Sequence, residues 1–346
     1  MRQNSRILSI WLFIVCFFVA VMVIFGGYVR LTRSGLSMVE WHVVTGMLPP
    51  LSQAAWQAEF VKYQQTPEYQ KVNAGMSLEG YQAIYYREYI HRMLGRLTGL
   101  VYVAPLFIFL IAGMIPGRKK KIYLLIGLLF AAQGFMGWYM VQSGLIDRPS
   151  VSHYRLTAHL LLALLLLALC FWTALTNALG PPATKQAAST STLFKLSVGL
   201  IVIVIIQISY GGLVAGLKAG YISDTFPLIF GYLIPPGLLS LLEPWYRNLI
   251  DNMVTIHFVH RWLAFGVLLL AGILYYRARK CPLTRNIQMG AVAEMSLVGV
   301  QILLGLGVII WHVPISLALI HQAVAIMIFV VALFIHHRLR GNNPIG

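Results

Sequence analysis

A chain of 346 residues that is 59% hydrophobic and only 10% charged is not an ordinary soluble domain, in which about 25% of residues carry charge. Its formal net charge of +16 would suit nucleic acid as a partner, but the placement of the charge excludes that reading. The basic residues at 2, 6, 118–121, 185, 195, 277, 279, 280, 285, 338 and 340 lie in the termini and the even-numbered loops, which contain no Asp or Glu. Nine of the ten acids lie in or beside the odd-numbered loops, Glu88 being counted with them, and Glu294 in the seventh apolar run is the tenth. By the positive-inside rule this alternation places both termini in the cytoplasm.

Eight apolar runs reach the roughly 20 residues that a membrane helix needs, at about 7–29, 89–115, 122–142, 153–176, 194–216, 256–276, 288–311 and 314–336. The first run has no small-residue cleavage site after it, so it reads as a span and not as a signal peptide. It ends at Gly26-Gly27-Tyr28-Val29-Arg30, and a loop of nearly sixty residues follows. Trp41, Trp56, Phe60, Tyr63, Tyr69, Tyr81, Tyr85 and Tyr86 in that loop suit short amphipathic helices at the outer interface. The loop is either a plain interfacial cap or a cap that closes a substrate site.

The second run opens with Glu88-Tyr-Ile-His91-Arg92-Met-Leu-Gly-Arg96, which puts a carboxylate, an imidazole and two guanidinium groups on neighbouring turns. Pro105 is a candidate kink. The third run carries Gln133, Gly134 and Gly137, and a short loop with Asp147 and Arg148 leads to Arg155 and His159 in the fourth. Pro181-Pro182 and the Ser/Thr-rich run after it read as a flexible link between halves. Cys16, Cys170 and Cys281 lie in helices or at their cytoplasmic ends, so no external disulfide is expected.

Beyond the link the pattern returns. Gly26-Gly27 with Ser34-Gly35 matches Gly211-Gly212 with Ala219-Gly220, His91-Arg92 matches His260-Arg261, Gln133 with Gly137 matches Gln301 with Gly305, and His159 matches His321. The fold expected is an all-α integral membrane protein of eight transmembrane helices, arranged as two tandem pseudo-symmetric four-helix bundles. The halves are residues 1–180 and 181–346.

His91, His159, His260 and His321 thus lie on helices 2, 4, 6 and 8, all towards the outer leaflet. Ionisable groups are costly in a bilayer and tend to be functional there. Two facing imidazoles per apolar bundle, with no carboxylate cage and no thiolate, suit haem iron better than zinc, magnesium or calcium. Arg92, Arg96, Arg155 and Arg261 are candidates for the haem propionates, with lipid headgroups as the alternative. Glu88 stands three residues before His91, whereas His257 stands three before His260. That asymmetry points to a reacting haem in the first half and a structural or electron-transferring haem in the second. Glu88 would stabilise developing positive charge or move a proton; the alternative is that it pairs with Arg92 or caps the helix. His42, His153, His312, His336 and His337 read as interfacial or solvated.

Gly26-Gly-Tyr-Val-Arg-Leu-Thr-Arg-Ser-Gly-Leu-Ser-Met, the Glu88–Arg96 motif and the three later histidines together resemble the haem A synthase family over nearly the full chain. The resemblance implies a haem b cofactor held in the second half by His260 and His321, with Arg261 beside it. It also implies a haem O substrate near His91 and His159, with Arg92, Arg96 and Arg155 beside it, and Glu88 and His91 in catalytic positions. The reaction implied is stepwise oxidation of a porphyrin methyl group, at C8, to a formyl group, giving haem A for cytochrome oxidase. Haem O synthase and the cytochrome oxidase assembly machinery are the partners implied, with an electron donor whose identity stays open, as does homo-oligomer formation. The chain lacks the outer-loop cysteine pair of some members and is similar to the class found in proteobacteria and mitochondria. Its short N-terminus, without an Arg- and Ser-rich transit segment, favours a bacterial inner membrane over a mitochondrion. The rival reading is a non-enzymatic di-haem b cytochrome that carries electrons from quinol.

Overall fold

Hydrocarbon offers the backbone no hydrogen bonds, so an apolar run must satisfy its own N–H and C=O groups as a helix. The computed structural model describes residues 2–41, 48–146, 148–180 and 191–340. His42, Asp147, Pro181, Pro182 and Lys185 fall outside these. Eight described helices are long and apolar enough to cross a membrane: α1 (Arg2–Leu31), α4 (Leu78–Ile111), α5 (Lys120–Leu145), α6 (His153–Leu179), α7 (Ser191–Leu217), α9 (Met253–Lys280), α10 (Arg285–Ile310) and α11 (Ile315–Arg340). Three short helices lie between them: α2 (Gln53–Gln64), α3 (Pro67–Lys71) and α8 (Asn248–Asp251).

The helices outrun the apolar windows because polar turns continue them at either end. The largest difference is in α4, which begins at Leu78 and not near residue 89. Ser77 caps it, its Oγ accepting from the Gly80 N–H at 3.1 Å. Glu88 is therefore not a cap. It lies about 15 Å along the helix at 1.5 Å per residue, well inside α4 rather than at its mouth. Pro105 is accommodated within the same continuous helix.

The aromatic residues expected at a lipid interface mostly pack on one another instead. Trp56, Phe60 and Tyr63 of the loop close on Tyr81 and Tyr85 of α4, with Met38 and Ile84, as a buried cluster. Tyr63 and Tyr81 stack at 5.0 Å, and Trp56 meets Tyr85 edge-on at 5.0 Å. Only a self-supporting core explains rings so fully withdrawn from solvent and lipid; such ring pairs add about 0.5–1.5 kcal/mol each beyond their burial. Burial pushes the Tyr63 phenol up from its ordinary value. Tyr86 remains exposed.

The chain divides into two compact units, residues 14–167 and residues 1–13 with 168–346. In the first, α4 packs on α5. Cys16 of α1 approaches the Leu167 carbonyl of α6 at 3.9 Å. In the second, α7 packs on α9 and α11, and α10 packs on the same two helices, which closes a four-helix ring. The repeat extends to backbone conformation. Arg33 and Lys218, matched basic residues just past the ends of α1 and α7, both adopt the left-handed region, with φ of 51° and 59°.

Two histidines expected at solvated positions are buried. His153 opens α6 under cover of its own chain, and His337 is sealed at 1% exposure with Thr176 at 3.2 Å. His336 is half-buried and bonds Ser197 at 2.9 Å, whereas His312 is exposed and meets Asp224 at 3.1 Å. Cys16 and Cys170 form no disulfide and are buried, as small apolar residues.

Candidate functional site

Each of the four matched histidines rests on a glycine of a partner helix, and the glycine is there because nothing larger fits. A Cβ at Gly26 would stand 3.2 Å from the His91 ring. At Gly137 it would stand 3.2 Å from His159, at Gly211 3.3 Å from His260, and at Gly305 3.1 Å from His321. These approaches are tighter than ordinary van der Waals contact, so each imidazole is seated against bare backbone. The glycine comes late in α1, α5, α7 and α10, and the histidine early in α6, α9 and α11 and at the fourteenth residue of α4.

Four residues before each seat comes a second contact. Gln133 Nε2 lies 3.4 Å from the His159 ring and 3.2 Å from its carbonyl oxygen. Gln207 Nε2 donates to the His260 carbonyl at 2.9 Å and lies 3.3 Å from its ring, and Gln301 Nε2 lies 3.3 Å from the His321 ring. Gln207 escaped the sequence analysis, although Gln-x3-Gly at 207–211 repeats the spacing at 133–137 and 301–305. The first pair departs from the rule. Met22 precedes Gly26, its backbone bonds His91, and its methyl group turns towards Gly95.

A haem can be tested against this geometry. The rings of His260 and His321 stand 6.4 Å apart between centroids. A metal sits about 2.0–2.1 Å from an imidazole nitrogen, so two imidazoles flanking one metal have centroids about 6 Å apart by the same figure. The Nδ1 atoms of His159 and His321 are buried without any hydrogen-bond partner, one in each unit. Buried polar atoms are normally satisfied; Nδ1 of His257 and of His337 is orphaned in the same way, so the spacing of the facing pair carries the test and the bare nitrogens accord with it. The residues fit the group.

Glycine seats make a sharp expectation. Gly305→Val should force His321 off its position and diminish haem binding, whereas Gly299→Val on the same helix, where nothing lies within 4 Å, should not. Overpacking of this kind costs about 1–3 kcal/mol. Comparison of haem absorbance per purified protein for the two variants checks it.

Beside His91 and beside His260 lies an arginine clamp. Glu88, 3% exposed, accepts from Ser37 N and Ser37 Oγ at 2.7 Å each, from Met38 N at 3.0 Å, and from Arg92 Nε and Nη2 at 3.1 and 2.6 Å. Arg92 in turn donates to the carbonyls of Met38 and Glu40 and lies over the Trp41 ring at 4.5 Å. In the second unit His257 takes the place of Glu88, its Nε2 accepting from Arg261 Nε at 3.0 Å. Arg261 donates to the carbonyls of Ser223, Thr225 and Leu228. In both units an arginine one position after a histidine staples the segment following one helix onto the next membrane-crossing helix, residues 37–41 after α1 onto α4 and residues 223–228 after α7 onto α9.

This clamp was one of the two readings open for Glu88, and the structure gives it its partners. It also changes the picture for the cations. Most N–H groups of Arg92 and Arg261 face protein carbonyls and the clamp residue, and Arg155 bonds the Tyr139 carbonyl at 2.7 Å while covering its ring at 3.6 Å. Arg96 contacts Met93 Sδ at 3.8 Å.

Comparison with known proteins agrees in scope with this arrangement. A family described as cytochrome oxidase assembly protein matches residues 9–333. A haem A synthase of Nitrosospira multiformis is 45% identical over 96% of this chain and 93% of its own. A haem A synthase of Wolbachia pipientis is 42% identical over 95% and 93%. One of Rickettsia bellii is 40% identical over 99% and 100%.

Proposed function

The chain belongs to the cytochrome oxidase assembly protein family, and from that membership we propose that it is a haem A synthase, a multi-pass membrane enzyme that oxidises haem O to haem A. The observation that carries the reading is the near full-length likeness to haem A synthases together with the four seated histidines, two in each compact unit. The setting proposed is a bacterial inner membrane with both termini in the cytoplasm, as the alternation of basic loops supports.

The cofactor is haem b, bound in the half spanning 181–346. His260 and His321 hold it, and their seats on Gly211 and Gly305 keep both rings turned inward. When bound, this haem supplies single-electron transfer. Gln207 and Gln301 orient the two rings from behind, as partners outside a metal's first ligands commonly do.

The substrate, haem O, enters the half spanning 1–180. His91 and His159 would hold its iron and so fix where its methyl group lies. Arg96 and Arg155, with Arg92, are the cations proposed for its propionates. Glu88 works by position: with Arg92 it binds residues 37–41 down beside His91, which shields the reacting edge from water. A haem so held would keep its methyl carbon in one place through the successive oxidations to a formyl group, whose electrons must pass to an acceptor supplied from outside the chain. The product serves cytochrome oxidase assembly.

Haem extraction decides between this and electron carriage alone. Expressed in cells that make haem O, the purified protein should yield haem B together with haem O or haem A on chromatography of an acid extract. Haem B alone, with no haem A in those cells, would favour a di-haem cytochrome.

A further inference from the structure

The loop between α7 and α9 turns its apolar side chains outward. From Phe226 to Leu242 it holds no charged residue, and Phe230, Tyr232, Leu233, Ile234, Leu239 and Leu241 are all exposed, Phe230 at 58% and Ile234 at 69%. The loop after α1 does the reverse with Trp56, Phe60 and Tyr63, which it buries against one another and against α4. A contiguous apolar patch on an exposed loop marks a surface that something covers.

The position of the loop against α9 indicates the cover. Counted from Arg277, the first cation of that helix's basic end, Phe265 lies twelve residues and Arg261 sixteen residues along, about 18 and 24 Å. Both heights fall within the roughly 30 Å of a hydrocarbon core. The loop descends to both: the Phe226 ring stacks on Phe265 at 6.4 Å, and Arg261 donates to the carbonyls of Ser223, Thr225 and Leu228. Trp262, Phe265 and Leu269, three and four residues apart, form an exposed apolar stripe on α9. Phe226 therefore rests on the face that this helix turns to lipid, and the loop's apolar surface continues that face.

Irregular backbone survives at such depth only where the protein satisfies its polar groups. Arg261 takes three carbonyls of the descending strand. Ile229 and Tyr232 exchange backbone hydrogen bonds at 2.9 and 3.0 Å across Phe230-Gly231, whose φ of 53° and 84° close a two-residue hairpin. Leu242 bonds the Asn248 side chain through both its N–H, at 3.0 Å, and its carbonyl, at 2.7 Å. Charge returns only outside the stretch, at Asp224 and Glu243, and Trp245 and Tyr246 follow as exposed rings of the kind that favours the headgroup boundary. We propose that residues 226–241 form a re-entrant lipid-binding loop, its side chains resting among the acyl chains of the leaflet opposite the basic helix ends. The partner of this surface is lipid hydrocarbon, and the arginine of the second clamp is what allows non-helical backbone to enter it. The inference rests on the membrane spans and on none of the haem chemistry.

Spin labelling of the full chain in phosphatidylcholine nanodiscs tests it. Phe230→Cys and Ile234→Cys are made separately on a Cys281→Ser background, Cys16 and Cys170 being buried, and each is labelled with a nitroxide. Collision of the label with dissolved oxygen, which concentrates in hydrocarbon, is compared with its collision with a water-soluble nickel chelate. Leu269→Cys on the α9 stripe supplies the lipid reference, and Ala74→Cys, at an exposed position after α3, the water reference. Both loop labels should shift from the value at Ala74 to that at Leu269. A loop value like that at Ala74 would overturn the proposal, since the loop would then stand in water. Protection from both probes would overturn it too, since a protein surface, a second copy of this chain included, would then cover the patch. A water-like value at Leu269 itself would overturn the spans and the loop together. Haem absorbance checks the fold of each variant, and the two loop sites are independent, so misfolding of one leaves the other to decide.

Discussion

His321→Ala is expected to abolish the low-spin haem absorbance of the purified protein while leaving the chain inserted and folded. The separation of function from stability follows from what the ring does. Among the described residues its Nδ1 has no partner, its Nε2 lies 3.3 Å from Gln301 Nε2, and the Cε1 edge of its ring faces Gly305. Truncation removes a ligand and leaves a small void, at a stability cost within the ordinary 0.5–3 kcal/mol of single substitutions. His257→Ala is the instructive contrast. That ring sits in the same helix three residues before His260, but it accepts from Arg261 and is 2% exposed. Its loss should lower the melting temperature and loosen residues 223–228 while haem absorbance persists. An unaltered spectrum in His321→Ala would refute the ligand assignment, whatever His257→Ala shows.

Glu88→Ala is expected to reduce haem A formation by about two to four orders of magnitude with the haem b spectrum of the second half unchanged. The carboxylate accepts five hydrogen bonds, from Ser37, Met38 and Arg92. Removing one member of a buried ion pair costs about 3–5 kcal/mol because the other is left uncompensated. If that loss falls on the positioning of the substrate, each 1.36 kcal/mol is a factor of ten in rate. A graded series distinguishes position from chemistry. Ser37→Ala deletes one donor, worth about 1 kcal/mol, and should lower product formation roughly fivefold, even though Ser37 carries no proton of use to the reaction. If Ser37→Ala is silent and Glu88→Ala is not, the carboxylate acts directly on the substrate and not through the clamp.

The spans, their number and the paired histidines were legible because hydrophobic length and repeated spacing are one-dimensional signals. The glycine seats were half legible: Gly26, Gly137, Gly211 and Gly305 stood out as repeats, but a glycine's purpose depends on what approaches it from another helix. The start of α4 was misread because residues 78–88 interleave Tyr81, Tyr85 and Glu88 with apolar positions, which lowers local hydropathy without ending a helix. Burial of Trp56, Phe60 and Tyr63 was hidden for a related reason. An aromatic ring suits a lipid interface and a small core equally well, and only contact with Tyr81 and Tyr85 decides. His337 looked solvated by its neighbours Arg338 and Arg340, yet alternate faces of one helix have different fates.

The seats come as a glycine on one helix and a histidine on the next membrane-crossing helix, four times over: α1 with α4, α5 with α6, α7 with α9, α10 with α11. The indivisible module is therefore a two-helix hairpin that offers one half of an iron's axial coordination. No such hairpin could clasp a porphyrin alone, but two copies could, which suggests descent from a short self-associating peptide by two rounds of duplication. In that lineage the methionine at 22 and the carboxylate at 88 are where the first hairpin parted company with its three siblings.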